Sequence, residues 1–266
     1  MLELEFAQLS DPGLVRGHNE DFLGYVAPDS PAQARSHGWL FALADGVGGQ
    51  DLGEVASRTA VESMLEGFSK AAPAEPHSTV LSRLVQAANT RVYETGRSAG
   101  PGGVRMATTI VACALRFDRA TVAHVGDSRC YLIRRGSASA LTRDHTVVND
   151  QVRIGVMSAR EAAQSEKRHV LSRSLGNDLF VNVDTSEHQV LPGDVLVLCS
   201  DGLHGSLSET ELASAVVRHA DLGAGAQCLV ELANERDGSD NVTVQLIRIK
   251  SVERIGMYRG RPYKLR

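Results

Sequence analysis

Apolar residues in this chain alternate with polar ones or gather in short blocks bounded by turn residues, and each such block predicts a strand. The blocks run from Leu2 to Leu9, Gly38 to Ala44, Ala107 to Phe117, Ala120 to Val125, Arg129 to Arg134, Val181 to Val190, Asp194 to Cys199 and Asn241 to Ile249. Other segments show a helical period. Leu52, Ala56, Ala60, Met64 and Phe68 recur every four residues with Val55 and Leu65 alongside, and Leu81, Leu84, Val85, Ala88 and Val92 share one face between Thr79 and about Arg97. Both patterns predict helices that face a core, joined by the loop from Ala71 to Pro76.

Two capping boxes, Ser158 with Glu161 and Ser208 with Glu211, predict helix starts, because each supplies a hydroxyl and a carboxylate for otherwise unpaired amides. A last helix is expected after Gly225, running to about Arg236. Pro28 to Ser36 reads as an exposed loop, and the polar stretch His145 to Asp178, with short helical signals and Gly155, reads as a surface flap. Strands in hairpin-like runs with helices in pairs predict an α+β domain of two antiparallel sheets covered by helices, not a doubly wound parallel sheet.

With 42% hydrophobic residues in 266, the chain has enough apolar surface for one sizeable core. A net charge of −4 argues against nucleic-acid binding, which needs a basic face. No apolar run approaches the roughly 20 residues that cross a bilayer, and the first residues lack a signal-peptide layout, so a cytoplasmic protein is expected. Cys113, Cys130, Cys199 and Cys228 lie far apart and read as buried free thiols. The dense basic stretch at the end, Arg254 to Arg266, reads as a solvated tail.

The chemistry lies in the placement of carboxylates. Asp45 ends WLFALA and precedes Gly46, Gly48 and Gly49; Asp127 follows VAHVG; Asp201 follows DVLVLCS and precedes Gly202; Asp240 precedes Asn241 and a strand. An ionised carboxylate at a strand end beside a core is costly without a compensating cation, and four of them without matching lysines suggest bound metal. Oxygen donors select hard ions such as magnesium or manganese, whereas zinc favours His/Cys clusters that this chain lacks. Near the start, RGHNED places Arg16, whose guanidinium fits a phosphate bidentately, beside Glu20 and Asp21.

In order along the chain, RGHNED, DGVGG (Asp45 to Gly49), ATT (Ala107 to Thr109), GDSR (Gly126 to Arg129), LTRDH (Leu141 to His145), LSRSLG (Leu171 to Gly176), SDG (Ser200 to Gly202) and DN (Asp240, Asn241) resemble the protein phosphatase 2C family in its compact bacterial form, from about residue 5 to 249. The resemblance implies a four-layer α-β-β-α sandwich with two central, mainly antiparallel sheets. It implies a protein serine/threonine phosphatase in which a water bridging two manganese or magnesium ions attacks phosphoserine or phosphothreonine directly, without a phospho-enzyme. By similarity Asp45 bridges both ions, Glu20 and the Gly46 carbonyl complete one, Asp201 and Asp240 complete the other, and Asp21 acts through bound water. Asp127 with Asp201 resembles a third, weaker metal site, against the alternative of a structural turn carboxylate. By the same resemblance Arg16 is expected to hold the phosphate oxygens, and Asn241 reads as orienting Asp240 rather than binding metal.

The sequence departs from some relatives at Val47, where they carry a histidine proposed as general acid, and at Ala107, where many have glycine. No histidine is assigned as catalytic: His18 is a second reading for a proton donor against that of a solvent-facing residue, and His124, His145, His169 and His204 read as structural or flap residues. The catalytic domain is expected over 1–250, with the flap at about 145–178 and a basic tail over 251–266. The implied partners are phosphorylated proteins, substrates of a Ser/Thr kinase in the same cell; no nucleic acid or membrane is expected. Without coiled-coil heptads a monomer is expected. A pseudophosphatase would typically have lost one of the metal carboxylates, and none is missing; regulation by another domain would need a separate protein.

Overall fold

Both periodicities take shape in a computed structural model that describes residues 1–47, 52–99, 103–258 and 261–264. The first half of the chain forms β1 (Glu3–Asp11), β2 (Asp21–Val26), α1 (Pro31–Ser36), β3 (Trp39–Asp45), α2 (Gly53–Ser69), α3 (His77–Ser98), β4 (Ile110–Arg116), β5 (Arg119–Val125), β6 (Arg129–Arg134) and β7 (Ser137–Ala140). The second half forms α4 (Val147–Arg153), α5 (Ala159–Gln164), β8 (Asp184–Gln189), β9 (Val195–Cys199), α6 (Asp201–His204), α7 (Glu209–Arg218), α8 (Leu222–Arg236), β10 (Val242–Ser251), β11 (Ile255–Tyr258) and β12 (Arg261–Lys264).

Two five-stranded sheets, ordered β1-β10-β9-β6-β7 and β2-β3-β4-β5-β8, pair antiparallel throughout. Their facing sides enclose Phe41, Leu43, Leu115, Leu196, Leu198 and Ile247. On the outside, α2 and α3 close one sheet with Ala60, Met64, Leu81 and Val85, while α7 and α8 close the other with Leu212, Val216, Leu229 and Val230. This is the expected α-β-β-α sandwich. Each fully buried aliphatic or phenyl side chain contributes about 1.5–3 kcal/mol, so three apolar layers carry the stability and the loops at one end are free to hold mutually repelling charges.

Several local expectations are corrected. DFLGYV forms β2, which the strand signals missed because Gly24 interrupts them; a Cβ there would lie 2.6 Å from Leu65 Cδ1, so the glycine lets α2 pack closely on the sheet. The loop expected at Pro28 to Ser36 contains α1, started by Ser30, whose side chain accepts from Gln33 N–H. Residues Ala107 to Thr109 do not extend β4: Thr108 instead bridges Gly46 and Leu175. Helix α8 starts earlier than Gly225, at Leu222, because Asp221 caps it. Both capping boxes form as expected. Within the C-terminal stretch, Ile255–Tyr258 and Arg261–Lys264 pair antiparallel as β11 and β12. Cys113, Cys130 and Cys199 are buried thiols as expected, but Cys228 is only half-buried. The flap carries α4 and α5, yet its two ends are fixed: Val147 N–H donates to Val170 O and Ser172 N–H to His145 O, with His145 and Leu175 buried. Among the described residues no helix is long and apolar enough to cross a membrane.

Candidate active site

Antiparallel pairing brings the carboxylates together. Asp21 opens β2 directly opposite Asp45, which closes β3; Asp127 follows β5, Asp201 follows β9, and Asp240 precedes β10. Arg16, Glu20, Asp45, Gly46, Asp127, Asp201 and Asp240 line one pocket of about 460 Å³. Asp21 lies behind it, buried. Its Oδ2 accepts from Ser200 Oγ at 2.8 Å, and its Oδ1 is buried with no hydrogen-bond partner. Gly48 and Gly49 of the DGVGG motif lie outside the described residues.

The backbone around these groups is fastened by hydrogen bonds and close contacts that the motifs alone do not show. Asp45 N–H donates to Thr109 Oγ1, which also bonds Ser128 Oγ of GDSR at 2.7 Å, and Thr108 Oγ1 donates to the Asp45 carbonyl. Gly46 N–H donates to Glu20 O, and a Cβ on Gly46 would collide with the Gly53 carbonyl. Asn241 is the staple of the Arg16 loop: its Nδ2 donates to the carbonyls of Pro12 and His18, and its Oδ1 accepts from Glu20 N–H. The Asn241 backbone N–H, not its side chain, holds Asp240 Oδ1. Gly13 completes the loop at φ +77, where any Cβ would strike the Asp240 carbonyl. Replacing Asn241 with Ala should cost roughly 2–3 kcal/mol by orphaning these partners, read as a lower denaturant midpoint together with weaker manganese affinity; unchanged affinity would show that the staple does not shape the pocket.

Burial and mutual repulsion shift the carboxylates around the pocket. Burial first, then the charges of Asp201 and Asp240 pushes Asp21 up to about 7, against hydrogen bonds from Thr243 and Ser200 that lower it. Burial and the Asp201 charge likewise push Asp127 up to about 7. Asp45 is raised well above the usual carboxylate range by burial and by Asp21, Asp201, Asp127 and Asp240. Glu20 is raised by burial, with Arg16 opposing. Asp201 goes down instead: burial works against its charge, but His169, with Nδ1 3.7 Å away, and the neighbouring His204 and Asp45 outweigh it. Arg16 Nη2 donates to Asp240 Oδ2 at 3.0 Å and its Nε to Ser239 O at 3.3 Å. Clustered oxygen donors, one an orphan, fit hard divalent ions.

Residues 18–233 match the family model described as protein phosphatase 2C. The chain belongs to the protein phosphatase 2C family. It is 33% identical to the serine/threonine phosphatase Stp of Listeria welshimeri over 95% of this chain and 96% of that one. The serine/threonine phosphatase PstP/Ppp of Mycobacterium tuberculosis superposes with a TM-score of 0.82 at 31% identity, over 94% of this chain and 100% of that one. The catalytic domain of PstP in complex with two manganese ions gives 0.80 at 31% identity, with 94% and 100% covered. As a protein phosphatase 2C, this chain is a metal-dependent protein serine/threonine phosphatase, and manganese or magnesium is its cofactor.

Histidines stand at several places around the site of this phosphatase 2C. His169, read from sequence as a flap or structural residue, stands with Nδ1 3.7 Å from Asp201 Oδ2 and lines the pocket. No sequence signal joins it to Asp201, because the contact depends on how the flap folds back. The tightest trio of ligand-type atoms among the described residues lies elsewhere: His124, His145 and Asp184. Their cation is already present. Arg173 Nη1 is 2.9 Å from Asp184 Oδ1, the two imidazoles stack at 4.6 Å, and Nε2 of His124 donates to Arg143 O. Gly126 N–H donates to His145 Nδ1 and His145 N–H to Gly126 O, so this group clamps the GDSR turn to the base of the flap. His204 Nε2 donates to the Asp127 carbonyl from a buried ring whose pKa burial lowers to about 4, a structural role.

Proposed function

We propose that the pocket holds two divalent cations, with Asp45 between them, Glu20 and the Gly46 carbonyl on one side and Asp201 and Asp240 on the other. Asp21 supports them through water, and Asp127 with Asp201 offers a weaker third position. The observation that carries this reading is the buried, unpartnered Asp21 Oδ1 behind a wall of carboxylates that repel one another. Divalent ions held by these residues would supply an activated water and charge neutralisation for the transferring phosphoryl group, for hydrolysis by direct attack.

The chain's own groups do the positioning. Arg16 sits at the pocket mouth with its charge reinforced, since Asp240, Glu20 and Asp201 raise its pKa against the opposing effect of burial. In this reading its fork turns from Asp240 to the phosphate oxygens of a seryl or threonyl ester and fixes the line of attack. Val47, whose N–H donates to Ala107 O, brings no proton donor. In this reading the leaving oxygen takes its proton from water, with His18 the second candidate donor. Catalysis is assigned to residues 1–250. The partners are phosphoproteins opposed by a Ser/Thr kinase of the same cell, and the chain works as a cytoplasmic monomer.

The test is turnover of para-nitrophenyl phosphate and a phosphothreonine peptide. Activity should require manganese or magnesium, disappear with chelator and resist okadaic-type inhibitors. Arg16→Ala should lower kcat/KM for the peptide by roughly tenfold to a hundredfold through lost orientation. Metal-independent turnover would overturn the proposal.

A further inference from the structure

The catalytic pocket has a cationic annex. Asn177 lines the pocket and also a neighbouring depression of about 510 Å³ between the end of α3 and the segments Gly103–Arg105 and Gly176–Asp178. Where the pocket is walled by carboxylates, this depression is lined by Arg97 and Arg105. Elsewhere on and near α3 the arginines are neutralised: Arg83 pairs with Glu75 at 2.9 Å and Arg91 with Glu66 at 3.1 Å. Arg97 and Arg105 have no carboxylate within ion-pair distance among the described residues; Arg97 is held by Tyr93 alone, with Nη1 3.3 Å from the hydroxyl and the guanidinium 5.7 Å from the ring centre. Asp178 also lines the depression but pairs with neither.

The opposite wall is rigid. Buried Asn89 accepts from Gly176 N–H and donates to the carbonyls of Asp178 and Leu179. Gly176 has φ +89, and a Cβ there would collide with the Met106 carbonyl, so the wall is pressed against the chain leading into β4. Two guanidinium forks with no ion pair among the described residues line one depression with this fixed segment, which also lines the pocket through Asn177, and such a depression is suited to an anion carried on an extended chain.

Building on the phosphatase reading, we infer that the Arg97–Arg105 depression is a substrate-selecting subsite, which takes an anionic side chain lying a few residues from the phosphoryl group being removed. The anion is a carboxylate or a second phosphate. The polypeptide on either side of the reacting residue has to leave the pocket across its rim, and on the Asn177 side it meets these arginines. There a flanking lysine is repelled and a flanking acid attracted, while a small aryl phosphate never reaches them.

The experiment compares phosphothreonine peptides identical except for flanking glutamates, flanking lysines, or a second phosphothreonine. Wild-type kcat/KM should favour the glutamate peptide over the lysine peptide by about tenfold, the scale expected of two partly exposed ion pairs, and the gap should shrink as salt rises. The doubly phosphorylated peptide, run beside the glutamate peptide, tells which anion the subsite prefers. In R97A/R105A the preference should fall to within about twofold with para-nitrophenyl phosphate turnover unchanged, and in R105E it should reverse. Equal rates for the glutamate and lysine peptides in wild type, or a preference that survives in the double variant, would overturn the subsite. Loss of manganese-dependent para-nitrophenyl phosphate turnover in wild type would instead strike the metal centre, and anisotropy of a labelled glutamate peptide on both proteins still reads the subsite then.

Discussion

Asp45→Asn and Asp201→Asn should each reduce manganese-dependent turnover by at least about a thousandfold while leaving the chain folded. Either change removes a charge from the set proposed to hold both ions, and the activation and charge neutralisation supplied by such ions are each worth several kcal/mol, with about 1.4 kcal/mol equal to a factor of ten. The fold should tolerate the Asp45 change well. Burial and four neighbouring carboxylates raise the pKa of that side chain, so an amide of the same shape relieves repulsion without opening a cavity. In chelator the Asp45→Asn protein should therefore melt no lower than wild type, while the melting-temperature rise that manganese gives wild type should be absent. A variant that retained wild-type kcat would remove Asp45 from the centre. One that failed to fold even in chelator would show that its carboxylate is structural.

Much of this was legible in residues alone, for identifiable reasons. The four-residue period of Leu52 to Phe68 reads as a helix because one face packs on a sheet, and α2 buries Ala56, Ala60, Met64 and Phe68. Asp45, Asp201 and Asp240 stood out because carboxylates at strand ends have no cheap structural explanation. Strand β2 was hidden because Gly24, demanded by Leu65 from a distant helix, reads locally as a strand breaker. The supports of the site were hidden for a related reason. Ser200 reaches Asp21 across 179 positions and Asn241 reaches Glu20 across 221, so neither role leaves a local signature. His169 and the Arg97–Arg105 depression likewise depend on how the flap and its return segment meet the sheet ends, which neither periodicity nor spacing encodes.

The same carboxylates should make the metal-free protein less stable as pH rises. Asp21 and Asp127 titrate near 7 in the folded chain and near the ordinary 3.8 once unfolded, so between those values the folded state holds protons that the unfolded state has released. Their stabilising contribution is complete below about pH 4 and lost as pH passes 7, and Asp45 shifts in the same direction. Asp201, with a lowered pKa, has the opposite sign, but its contribution fades only in acid below the ordinary carboxylate range. Buried His77, His145 and His204, each lowered to about 4, also oppose: they cost stability as pH falls below about 6.5, where the unfolded chain gains protons that they refuse. The informative window is pH 6.5 to 8, in which the folded carboxylates shed their remaining protons while the unfolded histidines complete a titration that is half done at 6.5. Across it Asp21 and Asp127 together should cost the chelated protein about 1.5 kcal/mol, the histidines should return about 1 kcal/mol and Asp45 adds to the loss, so the melting temperature should fall by about 1–3 °C. Manganese should cancel that fall, because ions held by the ionised oxygens replace the protons. Melting curves taken with chelator and with manganese at matched pH should diverge as pH rises. Parallel curves would mean that these carboxylates are not where the metal binds.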